Sequence, residues 1–380
     1  MIRAALLTVA VGAGALIAGA ASASAESDTA SAAAGQPLRS AAAPTARRAV
    51  RATAQPALTI TRAGQSPFPL SSATSGAAEL SGIAFASGTT YYAVGDNGAP
   101  AIWQVYTSLN TTTGRVRSSL VTAAIDAPEL GSDSEGIALR PDRSTAWVAD
   151  ETSSTIGEFS LTTGSKVGSV AVPAIYRPAN VQGNFGLESL AYGADALWTA
   201  NEEALKSDGP LSSTTAGSWV RIQRFAGPDL QPATQYAYRT DPISRMSPFV
   251  TVERSGLVDL LVLPDGRILS LERELGGCLP RFRSRVYLLD FTGATDVAEL
   301  PSLADGDFTP VSKTLLWQGI FGFTNFEAMT LGPRLTGGSY SLLLVSDDGN
   351  GELGQRQDIF SLILGGDALA TANGSPAVLV

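Results

Sequence analysis

Carboxylates recur in this chain at two places of a repeated unit. One opens a short apolar run, and another follows the end of the next apolar run. In Glu188-Ser189-Leu190-Ala191-Tyr192 and Ala196-Leu197-Trp198-Thr199-Ala200-Asn201-Glu202-Glu203 both acids are present. The order returns in Glu135-Gly136-Ile137-Ala138-Leu139 with Ala146-Trp147-Val148-Ala149-Asp150-Glu151. It returns again in Glu327-Ala328-Met329-Thr330-Leu331 with Leu342-Leu343-Leu344-Val345-Ser346-Asp347-Asp348. A fourth copy sets Asp259 ahead of Leu271-Glu272-Arg273-Glu274, and a fifth starts at Ser81 and ends at Asp96-Asn97. Carboxylates gathered in such number cannot all ionise without raised pKa values or bound cations. Calcium suits such a site, because it takes about six to eight oxygen ligands in a flexible geometry. Glu135, Asp150, Glu188, Glu327 and Asp347 are the expected metal ligands, and Asn97, Asn184, Asn201, Asn325 and Asn350 could add amide oxygens. Turn chemistry accounts equally for Asp347-Asp348-Gly349-Asn350 and Gly95-Asp96-Asn97-Gly98, but glutamate has no such turn preference.

Arg273 follows Glu272 at the same end of its unit. Its guanidinium either clamps an anion in bidentate fashion or pairs with neighbouring acids to hold the rim together. Arg281, Arg283 and Arg285 alternate along a strand and are expected to face solvent. The chain has no histidine, which excludes Ser-His-Asp and Cys-His triads and His-ligated zinc. Catalysis would have to run on carboxylates, arginine, hydroxyls or a metal held by oxygen. The single cysteine, Cys278, is read as an inert buried thiol.

Something must bring these acids together. Each pair of apolar runs is short and bounded by turn residues, so it reads as an antiparallel hairpin. A hairpin returns the chain to the edge it left, which puts both acids at one end. The offsets are 15 (81 to 96), 15 (135 to 150), 14 (188 to 202), 13 (259 to 272) and 20 (327 to 347). Five copies at such intervals predict an all-β fold, a β-propeller of five or six four-stranded blades. The outer strand of the fourth blade falls at either Thr295 to Leu300 or Lys313 to Trp317. The fifth blade lacks a local fourth strand. A terminal strand, Ala57 to Arg62 or Pro376 to Val380, would close the ring and cover two sheet edges. Trp147 and Trp198 fall on second strands and are expected in the core.

The chain opens with one arginine, an apolar run and Ala23-Ser24-Ala25, the pattern of a secretory signal peptide over 1–25 cleaved after Ala25. Residues 26–56 are rich in Ala, Ser, Thr and Pro and read as a disordered leader. The propeller then spans 57–380, and no later stretch is long and apolar enough to cross a bilayer. The formal net charge of −9 argues against a nucleic-acid partner. The expectation is a secreted monomer.

Ser81-Gly82-Ile83-Ala84, Asp133-Ser134-Glu135-Gly136-Ile137-Ala138, Asn184 to Ala191, Leu271-Glu272-Arg273, Asn325 to Met329 and Ser346-Asp347-Asp348, in this order, resemble the family described as esterase-like activity of phytase. The resemblance runs from about 78 to 365 and departs at Ser189 and Ala328, where glycine would be expected. It implies a β-propeller, export, and a relation to calcium-dependent phytases, which hydrolyse phosphomonoesters without histidine. On this reading calcium would neutralise the oxygens of a small phosphate or ester substrate and lower the pKa of a bound water. Glu202 or Glu272 would serve as base and Arg273 as clamp. A calcium-dependent lactonase and a non-enzymatic binding module with structural calcium are the competing readings.

Overall fold

The computed structural model describes residues 57–244, 252–277 and 281–366. The segments expected as signal peptide and leader, together with Cys278 and the alternative closing segment Pro376 to Val380, lie outside the described residues. Four-stranded antiparallel sheets repeat five times. Blade one comprises Leu80–Ser87, Thr90–Gly95, Ala101–Leu109 and Val116–Asp126. Blade two comprises Ser134–Leu139, Thr145–Asp150, Thr155–Ser160 and Lys166–Val170. Blade three comprises Leu187–Gly193, Ala196–Asn201, Trp219–Ala226 and Gln231–Arg239. Blade four comprises Val252–Val262, Ile268–Gly277, Arg281–Asp290 and Ser312–Gly322. Blade five takes Asn325–Arg334, Tyr340–Asp347 and Asp358–Gly365 from the chain's end and Thr59–Arg62 from its beginning.

The innermost strand of each blade touches the next, and that of blade five touches that of blade one, so the ring is closed. Blades are buried on both faces, which is why their second strands read as unbroken apolar runs. Leu342, Leu343, Leu344 and Val345 are successive and all buried. Leu342 and Leu344 join the core shared with blade four, while Leu343 and Val345 join the core shared with blade one. Every seam between neighbouring blades has such a cluster. Trp147 and Trp198 belong to these clusters, as expected.

Thr59–Arg62 pairs antiparallel with Asp358–Gly365, with Ile60 opposite Leu364. It is the closing strand expected from Ala57 to Arg62, and the blade count resolves to five. The outer strand of blade four is the later of the two candidates. The earlier segment lies instead against blade three: Val297 donates its backbone N–H to the Gln235 carbonyl, and its side chain packs beside Ala237. The fully buried Arg221 ties this segment and the loop after blade three's second strand together. It pairs with Asp208 at 2.7 Å and donates to the carbonyls of Val297 and Leu300.

One irregularity repeats around the ring. Each innermost strand carries an extra residue relative to its partner: Ser81, Glu135, Glu188, Val258 and Glu327. A bulge re-aims the side chain it carries and interrupts the alternation of faces.

Candidate functional site

The bulged residues and the ends of the second strands build two concentric sets at the channel mouth. The inner set is Ser81, Glu135, Glu188, Val258 and Glu327, one per blade. Across each hairpin, the residue before the bulge pairs with Gly95, Asp150, Asn201, Glu272 or Ser346. The next residue along forms the outer set: Asp96, Glu151, Glu202, Arg273 and Asp347. All five of these line one cavity of about 140 Å³, together with Ser81, Glu135, Glu188 and Glu327.

Where the residue two before the following blade's bulge is glycine, the outer side chain fills the place it leaves. Glu151 lies over Gly186, whose N–H donates to its Oε1 at 2.6 Å. Glu202 lies over Gly256, where a Cβ would fall 2.3 Å from Oε1, so only glycine leaves room. Arg273 crosses to Glu327 at 2.6 Å while keeping Glu202 of its own neighbour at 2.9 Å. Asp96 meets Asp133, a buried acid that also accepts from Thr152 at 2.5 Å.

Charge is unevenly balanced. Arg273 compensates Glu202 and Glu327, leaving Asp96, Asp133, Glu135, Glu151, Glu188 and Asp347 on the other side of the ring. One oxygen each from Asp96, Asp133 and Glu135 lies within 4.8 Å of the others, and so does one each from Glu135, Glu151 and Glu188. Glu135 and Glu188 are 7% and 6% exposed, and their carboxylates meet no hydrogen-bond donor among the described residues. Burial, then the neighbouring acids, holds both pKa values well above the usual carboxylate range. Burial and the charges of Glu202 and Asp133 push Glu151 up to about 8. Glu202 is also pushed by burial to about 8, against the pull of Arg273. Asp347 rises to about 8 through burial and Glu327, and Asp96 to about 7 through burial and Asp133. Burial alone would lower the Arg273 pKa, but Glu202, Glu327 and Glu188 raise it overall.

Of the residues expected from the sequence, Glu135, Glu188, Glu327, Asp347, Glu202 and Arg273 come together here. Three others do not, each by a single step in register. Asp150 pairs across its hairpin with Ser134 and turns away, accepting from Ser153 N and Oγ at 2.8 and 2.5 Å; its neighbour Glu151 faces the channel. Glu272 turns towards blade three, where Tyr238 and the Asp241 N–H satisfy it together with Lys313 of its own blade. Asp259 is one position past the bulge and accepts from Leu260 N and Met329 N at 2.8 and 2.6 Å, tying two innermost strands together. The bulge position in blade four is Val258, buried in the core. Arg285, expected in solvent, is buried and paired with Glu274 at 2.7 Å. Asp133, Arg254 and Phe185 were not singled out as site residues. Asn184 and Arg254 both stand four residues before a bulge, a correspondence visible only once the bulges are placed.

Below the carboxylates the innermost strands touch backbone to backbone. A Cβ on Gly82 would fall 2.4 Å from the Glu135 carbonyl oxygen, and one on Gly136 2.7 Å from Leu190 N. The far end of the channel is a separate apolar cavity lined by Ile83, Ile137, Leu190, Leu260 and Met329.

The fold and this site define a five-bladed β-propeller whose channel opens through a ring of buried acids. The chain matches the Phytase-like family model, described as esterase-like activity of phytase, over residues 75–350, and it belongs to that family. No curated protein matches it. Among solved structures it is similar to glutaminyl cyclase of Myxococcus xanthus, 10% identical over 81% of this chain and 97% of that one, with a TM-score of 0.34. It is also similar to the WD40 β-propeller domain of Doa1, 10% identical over 82% of this chain and 97% of that one, with a TM-score of 0.29. Hydrazine synthase of Kuenenia stuttgartiensis is 11% identical over 72% of this chain, which spans 57% of that protein's length, with a TM-score of 0.33. Among the described residues no helix is long and apolar enough to cross a membrane.

Proposed function

We propose that this protein is an exported, calcium-dependent ester hydrolase that acts on phosphomonoesters at the acidic mouth of its channel. One observation carries the reading. Glu135 and Glu188 are buried beside other acids, with no donor among the described residues to satisfy them, a state that a cation held by oxygens relieves. The donor set fits calcium, since every candidate ligand is a carboxylate or amide oxygen. Glu135, Glu151 and Glu188 would hold the ion, with Asp96 and Asp133 beside them and Glu327 and Asp347 closing the ring. Bound calcium supplies charge neutralisation for an anionic ester and activation of water.

The chain's own groups do the rest. Arg273 fixes the Glu202 and Glu327 carboxylates in place and adds a fixed positive charge to the wall of the pocket where an anionic ester would sit. Glu202 takes the proton of the attacking water at Oε2, the oxygen not paired with Arg273. Glu272 does not line the cavity and is engaged by Tyr238, Lys313 and the Asp241 N–H, so it takes no part in this role. The close strand contacts at Gly82 and Gly136 lie between this pocket and the separate apolar cavity at the other end of the channel.

The test measures calcium content of the purified protein, then hydrolysis of p-nitrophenyl phosphate and p-nitrophenyl acetate with calcium and with chelator. Calcium-dependent release from the phosphate ester is expected. Turnover of neither ester, with a melting temperature that still falls on chelation, would make the calcium structural and the protein a binding module. Indifference to chelation in every measurement would end the metal reading altogether.

A further inference from the structure

The cavity contains two cations, and they are not alike. Arg273 is buried and committed to two carboxylates. Arg254 stands exposed at the mouth, its guanidinium 5.9 Å from the centre of the half-buried Phe185 ring. Both Arg254 and Phe185 line the cavity, Phe185 from the loop leading into blade three and Arg254 from the innermost strand of blade four. Attraction to the ring face draws the guanidinium towards the opening, where it meets no hydrogen-bond acceptor among the described residues.

From this arrangement we infer the class of substrate: an ester bearing a single anionic group on an apolar or aromatic body, selected by Arg254 and Phe185 over polyphosphorylated compounds. Three observations converge. The cavity, about 140 Å³, is well below the roughly 300 Å³ at which pockets begin to enclose a whole small ligand, so only a head group enters. Positive charge is concentrated at one point of the rim. Lys206, in the loop after blade three's second strand, does not line the cavity and donates to the Ala179 carbonyl at 2.9 Å. Asp96 and Asp347 line the same cavity from blades one and five and would repel a second or third phosphate. Phe185, the one aromatic side chain lining the cavity among the described residues, offers its apolar edge to the body of the substrate.

This inference rests on the hydrolase reading only for turnover; binding tests it separately. Calorimetry on the calcium-loaded full chain would use phenyl phosphate, inorganic phosphate and fructose 1,6-bisphosphate as probes. Phenyl phosphate should bind about tenfold more tightly than inorganic phosphate, and the bisphosphate no more tightly than inorganic phosphate. Arg254→Gln should weaken phenyl phosphate and inorganic phosphate alike by about tenfold, with Arg254→Lys intermediate, because the charge survives but the planar fork does not. Phe185→Ala should remove only the preference for the phenyl ester. Tighter binding of the bisphosphate, unchanged affinity in Arg254→Gln, or no binding of any probe would overturn the inference. Arg254-dependent binding without turnover would sink the hydrolase reading and leave this one standing.

Discussion

Arg273 and Glu327 come from adjacent blades and meet at 2.6 Å, the first midway along a second strand and the second on a bulge. The same guanidinium holds Glu202 at 2.9 Å, so one cation links three consecutive blades at the channel mouth.

Removing that cation leaves two buried carboxylates without compensation. Arg273→Met should therefore destabilise the calcium-free protein by about 3–5 kcal/mol, the usual cost of breaking a buried pair from one side. Urea denaturation at neutral pH reads the loss. Adding Glu327→Gln to Arg273→Met should recover part of it, and a double variant no more stable than Arg273→Met would contradict the pairing.

The raised carboxyl pKa values give the calcium-free protein an unusual pH dependence. Asp96, Glu151, Glu202 and Asp347 titrate in the folded state near 7 to 8, against ordinary values of 3.8 for Asp and 4.5 for Glu. The folded state then binds more protons than the unfolded one between these limits. This contribution to stability is fully present below about pH 4 and is lost as pH rises through 7 to 8. Melting temperature in chelator should fall from pH 5 to pH 8.5, and calcium should flatten the curve. A chelated protein that grows more stable across that range would count against the buried acid cluster.

Neutralising one acid of the inner set separates stability from binding. Glu135→Gln removes a charge shared by both close triads, and Glu188→Gln removes one from a single triad. Each should raise the melting temperature in chelator while lowering calcium affinity at least tenfold, with the larger loss for Glu135→Gln. Calorimetric titration of calcium beside thermal melts distinguishes this from simple damage, which would lower both.

Gly256 tests how tightly the second-strand acids are seated. In Gly256→Ala the new methyl would fall 2.3 Å from Glu202 Oε1, so the carboxylate must swing off Arg273. The expected cost is about 1–3 kcal/mol, together with a loss of any calcium-dependent turnover. Gly227→Ala, at a glycine with nothing within 4 Å but a positive φ, is the control for backbone strain alone.

The blades were legible because a sheet buried on both faces writes its strands as short apolar runs between turn residues, as in Leu342 to Val345. The closing strand was legible because blade five is one strand short. The ring of acids was legible only to within one residue. Asp150 and Glu151 are both acids, as are Glu272 and Glu274 around Arg273, so composition alone does not say which member faces the axis. A bulge decides it by adding one residue to one strand, and a bulge has no residue signature here: serine, glutamate and valine all occupy it. Reading strict alternation through that point put Asp259 in the place of Val258. Arg254 escaped notice because its relation to Asn184 depends on the same count.

The blade that completes the circle joins residue 59 to residue 365, the earliest and latest strands of the domain. A nascent chain therefore carries an unmatched edge at its front until almost all of it has been synthesised. Until then the last sector, with Glu327 and Asp347, cannot take its place beside the first. The cavity, which takes side chains from all five blades, is complete only with the finished polypeptide.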